Sequence, residues 1–495
     1  MIKRYLLALI MGLLSGHFPA QAAPSLQPSH ATRPGEPSPT VDTVSLQAQT
    51  IELTLSDAIY LGLRNNRAIR SAYLDRVAQK FSLYVAEDRF TPKLMLNSTY
   101  RSSRNQSDRL QDASLTPTAS LLTPYGTRVS LGWAYHHNQA KHAGWAQNDG
   151  ANIAVIQPLL RGAGKDIATA PVRQAQLAEQ INRLNLKSTV SGTITQIIAS
   201  YRALLQAQEQ VKIMQDSLDR AHRLIEVNRA LIAAGRMAEF EIVQAEAGVA
   251  SQELSYEETR HQLDMTRLAL LQLLALDLHT PIVAADALHA ERIDIQTEQA
   301  LQEALSSQPS YLSQLIAREQ IAINRDVANN DQLWDVSLIA GASQARDRGS
   351  FGHSARSWNN YIGLQVEIPI GDPSRRQAQV QAEVSVNKQD IQLAEARQQL
   401  TRDVTNATRN IATRWRQYEI AQRSLELSRR KLDIEREKLA VGRSSNFQVL
   451  SFENDLRNAE NSRLNALISY LNAQAELDQT LGTTLQSWDI SLNDD

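Results

Sequence analysis

Three groups of residues have types that could do chemistry. Arg161-Gly162-Ala163-Gly164-Lys165-Asp166 has the glycines and lysine of a phosphate-binding loop, but it lacks two glycines flanking four residues and a Ser or Thr after the lysine. A turn leading into a helix is its expected role. His136, His137 and His142 fall in an expected loop without a carboxylate or further ligand at metal spacing. No nucleophile constellation is visible, so no catalytic, cofactor or metal site is expected. The third group pairs a glycine and an arginine with nearby polar residues: Gly235-Arg236 with Glu239 and Glu241, and Gly442-Arg443 with Gln448 and Ser451.

That third group belongs to an internal duplication. Ala234-Gly235-Arg236, Phe240, Ile242 and Glu246 recur as Val441-Gly442-Arg443, Phe447, Val449 and Glu453, at a constant offset of 207 residues (442 − 235). Upstream, apolar residues recur every seven positions at Leu204, Val211, Leu218, Ile225 and Ile232, and the same offset lands on Ile411, Tyr418, Leu425, Leu432 and Leu439. After the first glycine the seam resumes at Ile242, Val249, Tyr256, Leu263 and Leu270. A sustained heptad is a narrow apolar seam on a long helix, and a glycine at positive φ ends one. Each copy therefore reads as a long helical hairpin with a Gly-Arg tip, opened again by Glu239 or Asn446. From Asp166 to Gly235 the helix would be a rod of about 100 Å, too long for an ordinary globule.

A second pair of segments precedes the hairpins at an offset of 242 (300 − 58): Ala58, Leu63 and Asn66 match Ala300, Leu305 and Gln308. Each begins an expected helix of about thirty residues, the first capped by Ser56. Short alternating segments follow at 92–100, 128–135, 152–156, 334–340 and 360–369, as expected for strands with one apolar and one polar face. Trp133, Tyr135, Trp358 and Tyr361 are candidates for an interfacial aromatic belt.

Composition limits the remainder. Of 495 residues, 51 are basic and 53 acidic, so the net charge is −2 and no strong field exists to collect nucleic acid. Residues 1–22 read as a signal peptide: Lys3 and Arg4, an apolar run from Tyr5 to Leu14, then Ala20-Gln21-Ala22. Residues 23–50 hold five prolines among Ser, Thr and Gln and read as a disordered leader. No later run approaches the roughly 18–20 apolar residues of a membrane helix. There is no cysteine, hence no disulfide and no lipidated cysteine.

The order of helix, strands and long hairpin, written twice, resembles the TolC-like outer-membrane efflux proteins over about Leu53 to Trp488. The family's helix opener is matched by Leu55-Ser56-Asp57-Ala58-Ile59-Tyr60-Leu61-Gly62-Leu63-Arg64-Asn65-Asn66, with Arg67 where proline is usual. The resemblance implies a mainly α fold with a small transmembrane β portion. It divides the chain into a first repeat at 51–285, a second at 286–488 and a tail at 489–495. It implies a homotrimer in which each chain gives four strands to one twelve-stranded barrel in outer-membrane lipid, above a periplasmic helical tunnel. It further implies a conduit, not an enzyme, working with a periplasmic adaptor and, through it, an inner-membrane transporter in efflux or type I secretion. Gly235, Arg236, Gly442 and Arg443 would form the adaptor-docking tips. Glu239, Glu241, Gln448 and Ser451 would line the entrance gate; solvated helix-end charge is an equal account of the two carboxylates. Leu115 to Gly126 is an insertion relative to the family pattern; it either projects outward as a hairpin or loop, the preferred expectation, or enlarges the barrel. A periplasmic coiled-coil adaptor or scaffold is the alternative function, and the transported substrate is not readable.

Overall fold

A local signal starts the first helix. The Thr54 side chain accepts from the Asp57 amide while the Asp57 carboxylate accepts from the Thr54 backbone, the reciprocal pair of a capping box. The cap is thus Thr54 and not Ser56, which lies in the first turn. The structure, a computed structural model, describes residues 50–104, 109–141, 144–350, 352 and 354–492. The expected signal peptide, His142 and all of the leader except residue 50 lie outside the described residues.

Strand β1 (Ile51–Leu53) precedes α1 (Leu55–Asn65) and α2 (Arg67–Glu87). The expected thirty-residue helix is therefore two helices. Asn66 breaks it, with extended backbone, and its side chain accepts from the amides of Ala68 and Ile69 to start α2. Four strands follow: β2 (Lys93–Arg104), β3 (Arg109–Leu122), β4 (Arg128–Ala140) and β5 (Gly144–Pro158). The first long hairpin is α3 (Ala170–Ala233) and α4 (Glu241–Leu273), and β6 (Ile282–Ala284) ends this half.

The same order then recurs. Helices α5 (Thr297–Ser307) and α6 (Pro309–Asp331) are divided at Gln308, the counterpart of Asn66, whose side chain likewise caps the following helix. Next come β7 (Asp335–Gly349), β8 (Ser354–Glu367) and the second long hairpin, α7 (Pro373–Ala440) and α8 (Asn446–Leu481). Helix α3 has 64 residues and α7 has 68, each about 100 Å long. The heptad seam is inside: Leu204, Ile225, Val249 and Leu270 are buried in the first hairpin, and Ile411, Leu432 and Leu439 in the second.

Both long helices run the full length of the helical layer. Near the sheet the order across the layer is α2, α3, α6, α7, and toward the hairpin tips it is α4, α3, α8, α7. Between these levels β1 and β6 pair in parallel. The buried Tyr201 hydroxyl fastens that junction, donating to the Leu53 carbonyl and accepting from the Asp286 amide. The largest core cluster surrounds it, including Ile194, Ile197, Leu270 and Leu274. No described helix is long and apolar enough to cross a membrane.

Candidate functional site

The strands form one antiparallel sheet in the order β2-β3-β4-β5-β7-β8. Its register makes two faces of different chemistry, because directly paired residues share a face and the side-chain period is two. Leu121, Val129 and Val155 share one face with Ala340, Ile362 and Leu364. The other face takes Ser120, Ser130, Ala154, Gly341, Asn152 and Ser343 from the same pairings. Toward the helices one side is apolar and the other is rich in small and polar side chains; beyond the row of Trp133 the first side turns polar, with Asp149, Arg346 and Arg356 in the row of Tyr135.

The register also sorts the aromatic residues. Trp133 pairs with Ala151, Ala151 with Gln344, and Gln344 with Trp358, so the two tryptophans lie in one row of the apolar face. Tyr135 shares that face and stacks on Trp133 at 6.1 Å between ring centroids. Tyr361 pairs with Gly341 on the polar face, which removes it from the expected belt. His136 and His137 are consecutive in β4, not in a loop. Pleating sends them to opposite faces, and no described cluster of three His, Cys, Asp or Glu could hold a metal.

The insertion departs from the preferred expectation. Its residues are strand β3 and the turn into β4, with β3 paired along its length to β2 on one side and β4 on the other. Among the described residues the sheet has six strands, where four were expected. The Arg161–Asp166 segment is a strand-to-helix turn: the Asn330 side chain accepts from the Gly162 amide at 2.7 Å, and Arg161 pairs with Asp335.

At the opposite end of the helices lie the two tips. Gly235 and Gly442 have φ of +70° and +75°. The Gly235 amide donates to the Ile232 carbonyl and the Arg236 amide to Leu231; Gly442 and Arg443 repeat this with Leu439 and Lys438. That double bond pattern satisfies the last helix carbonyls. Arg236, Arg443 and Glu239 are exposed. Glu239 lies ahead of α4, whose cap position is Phe240. Ser445 caps α8 by accepting from the Gln448 amide, while Asn446 is fully buried and its Nδ2 donates to the Glu241 carbonyl at 3.1 Å. Asn446 therefore joins the two tips. Glu241 is half-buried, with Oε2 shielded and without a partner, and Gln448 and Ser451 are half-buried in α8.

Residues 300–483 match the family model described as outer membrane efflux protein. The fold carries the likeness over nearly the whole chain. The Campylobacter jejuni outer-membrane channel CmeC is 16% identical with a TM-score of 0.66, covering 93% of this chain and 94% of its own. The open-state Neisseria gonorrhoeae channel MtrE is 16% identical with a TM-score of 0.66, covering 87% and 89%. The Vibrio cholerae outer-membrane protein VceC is 14% identical with a TM-score of 0.64, covering 86% and 96%. The fold is that of these outer-membrane channels, and residues 300–483 resemble the outer membrane efflux protein family. No curated protein matches the chain.

The charge network above the tips is what sequence reading missed. Glu453, only 4% exposed, accepts from Arg220 of the first hairpin at 2.9 Å and also pairs with Arg436 of the second. Arg220 also reaches Glu460, and Arg429 approaches it at 3.9 Å. The duplication contained a signal for this. Arg229 and Glu246, at 3.9 Å, stand 207 residues before Arg436 and Glu453, so one ion pair is written twice. Both partners are exposed in the first hairpin, whereas in the second the glutamate is buried.

Proposed function

We propose that three copies of this chain form an exit duct through the Gram-negative outer membrane, with the helical layer as a tunnel into the periplasm. One observation carries the reading: a sheet with an apolar and a polar face, open at both edges, stands on hairpins about 100 Å long. In lipid the apolar face needs hydrocarbon, and edge amides and carbonyls cannot stay unpaired at several kcal/mol each. Closure requires further copies. The free edge of the helical layer agrees with the free edge of the sheet. On one side lie β2, α2 with exposed Leu74, Val77, Phe81 and Tyr84, and α4 with exposed Val243, Leu254 and Met265. On the other lie β8 and α7, with exposed Ile391, Ile420, Leu427 and Ile434. Apolar stripes at such spacings are helix seams awaiting a partner. Two different edges joined head to tail make a closed ring.

The duct is passive. Its tips, Gly235-Arg236 and Gly442-Arg443, dock a periplasmic adaptor and, through it, an inner-membrane transporter; adaptor binding opens an entrance lined by Glu241 and Gln448. Detergent-dependent release from the outer-membrane fraction, heat-modifiable migration and a mass of three subunits test this reading. Release by osmotic shock without detergent would point instead to a periplasmic scaffold.

A further inference from the structure

The β3–β4 hairpin is unlike the other strands. Strands β2, β5, β7 and β8 each continue into the helical layer, whereas β3 and β4 connect only to other strands. Yet the hairpin is built into the wall. β2 pairs with β3 from Lys93–Ser120 to Arg104–Arg109, and β3 with β4 from Leu110–Ala140 to Leu122–Arg128. Its turn is seated against the end of β5 and the connector that follows it: the Thr127 hydroxyl bonds Gln157, and a Cβ on Gly126 would lie 2.4 Å from the Gly162 carbonyl oxygen. Both faces match the sheet around them. Leu115, Ala119, Leu121, Val129 and Leu131 extend the apolar side, and Ser114, Thr118, Ser120, Ser130 and Asn138 extend the polar side. A hairpin standing outside the wall would have no reason to keep this alternation in register with both neighbours.

Widths supply a second argument. Strands about 4.8 Å apart and tilted about 40° take up about 6.3 Å of perimeter each, so six span about 38 Å and four about 25 Å. Four helices packed about 9–10 Å apart span about 36–40 Å. Six strands therefore sit on four helices without puckering the layer. The edges also close correctly. Five antiparallel steps separate β2 from β8, so β8 of one copy meets β2 of the next antiparallel. The exposed Leu94 and Leu96 of β2 and Ile362, Leu364 and Val366 of β8 lie on the same face, which keeps the apolar band continuous across the joint.

We propose that β3–β4 is a barrel-widening element: β8 of one copy pairs with β2 of the next, and three copies close an eighteen-stranded barrel as broad as the helical tunnel beneath it. This rests on the three-copy duct proposed above. At constant tilt, backbone diameter grows with strand number, from about 24 Å for twelve strands to about 36 Å for eighteen. The outer mouth then does not narrow the path, and cargo size is set by the tips alone.

Cryo-electron microscopy of the full-length complex in lipid, with its mass, reads the strand count directly. Three subunits and eighteen strands are the expected result. Three subunits around twelve strands, with β3–β4 outside the wall, would overturn the widening and leave the three-copy duct standing. Two subunits closing twelve strands, or no ring, would remove the duct reading and this inference together. A variant lacking residues 109–140 should still form trimers and exclude polyethylene glycols, added from the outer side, at a diameter about 1.5-fold smaller. An unchanged exclusion diameter would overturn the proposal. If the variant fails to insert, the strand count of the intact protein decides.

Discussion

Arg220 of α3 donates from Nε to Oε2 of Glu453 in α8 at 2.9 Å, and this bond ties the first hairpin to the second just above the tips. Glu453 is 4% exposed, so removing a partner leaves a charge that water reaches poorly. Arg220→Ala should cost about 1.5–3 kcal/mol, below the full penalty for an orphaned buried charge because Arg436 still pairs with Glu453. Hydrogen exchange should speed up along 446–460, and resting conductance should rise. A double-mutant cycle with Glu453→Gln that gives additive effects would show the pair to be uncoupled.

The tip glycines are constrained by backbone and not by space. No atom lies within 4 Å of a Cβ built on Gly235 or Gly442, but both φ values are in the left-handed region. Gly235→Val or Gly442→Val should strain its turn by about 1 kcal/mol or more. Membrane insertion should persist while export and adaptor cross-linking fall. Unchanged export in both variants would place adaptor docking elsewhere.

Three Glu241 side chains around a ring axis would repel one another and attract cations. Glu241→Gln should reduce cation preference and weaken block by multivalent cations. Arg443→Ala should raise resting conductance, although an exposed pair is worth only about 0–1 kcal/mol. Single-channel recording of both variants tests this. If selectivity and conductance are unaltered, these charges serve helix-end solvation only.

The second tip should loosen in acid. Ser444 donates to Glu435 at 2.7 Å and Lys438 at 3.0 Å; these bonds hold its carboxyl below the usual glutamate value, the serine contributing most. A depressed folded pKa contributes stability that is present above the unfolded value and lost as pH falls through the folded one. Spin-label distances across 438–446 should therefore broaden only below the ordinary carboxylate range. Ser444→Ala should move that broadening toward higher pH, and no movement would exclude Glu435 as the titrating group.

Some of this was readable locally and some was not. The long hairpins follow from a heptad and a glycine at a fixed offset, because helix periodicity and a positive φ are properties of neighbouring residues. The break at Asn66 and Gln308 was marked by their matched offset, yet a continuous helix was expected, since a side-chain cap inside a periodic run leaves little trace in the period. Strand pairing is not local. Only the assembled sheet decided that the insertion joins the wall as β3 and that Tyr361 faces away from Trp358, because a one-residue difference in register moves a side chain to the opposite face. The same holds at the tips. Gly235 and Gly442 announce themselves in sequence, but the bonds from Asn446 to Glu241 and from Arg220 to Glu453 bring together residues more than two hundred positions apart. Only the packing of one hairpin on the other decides those partners.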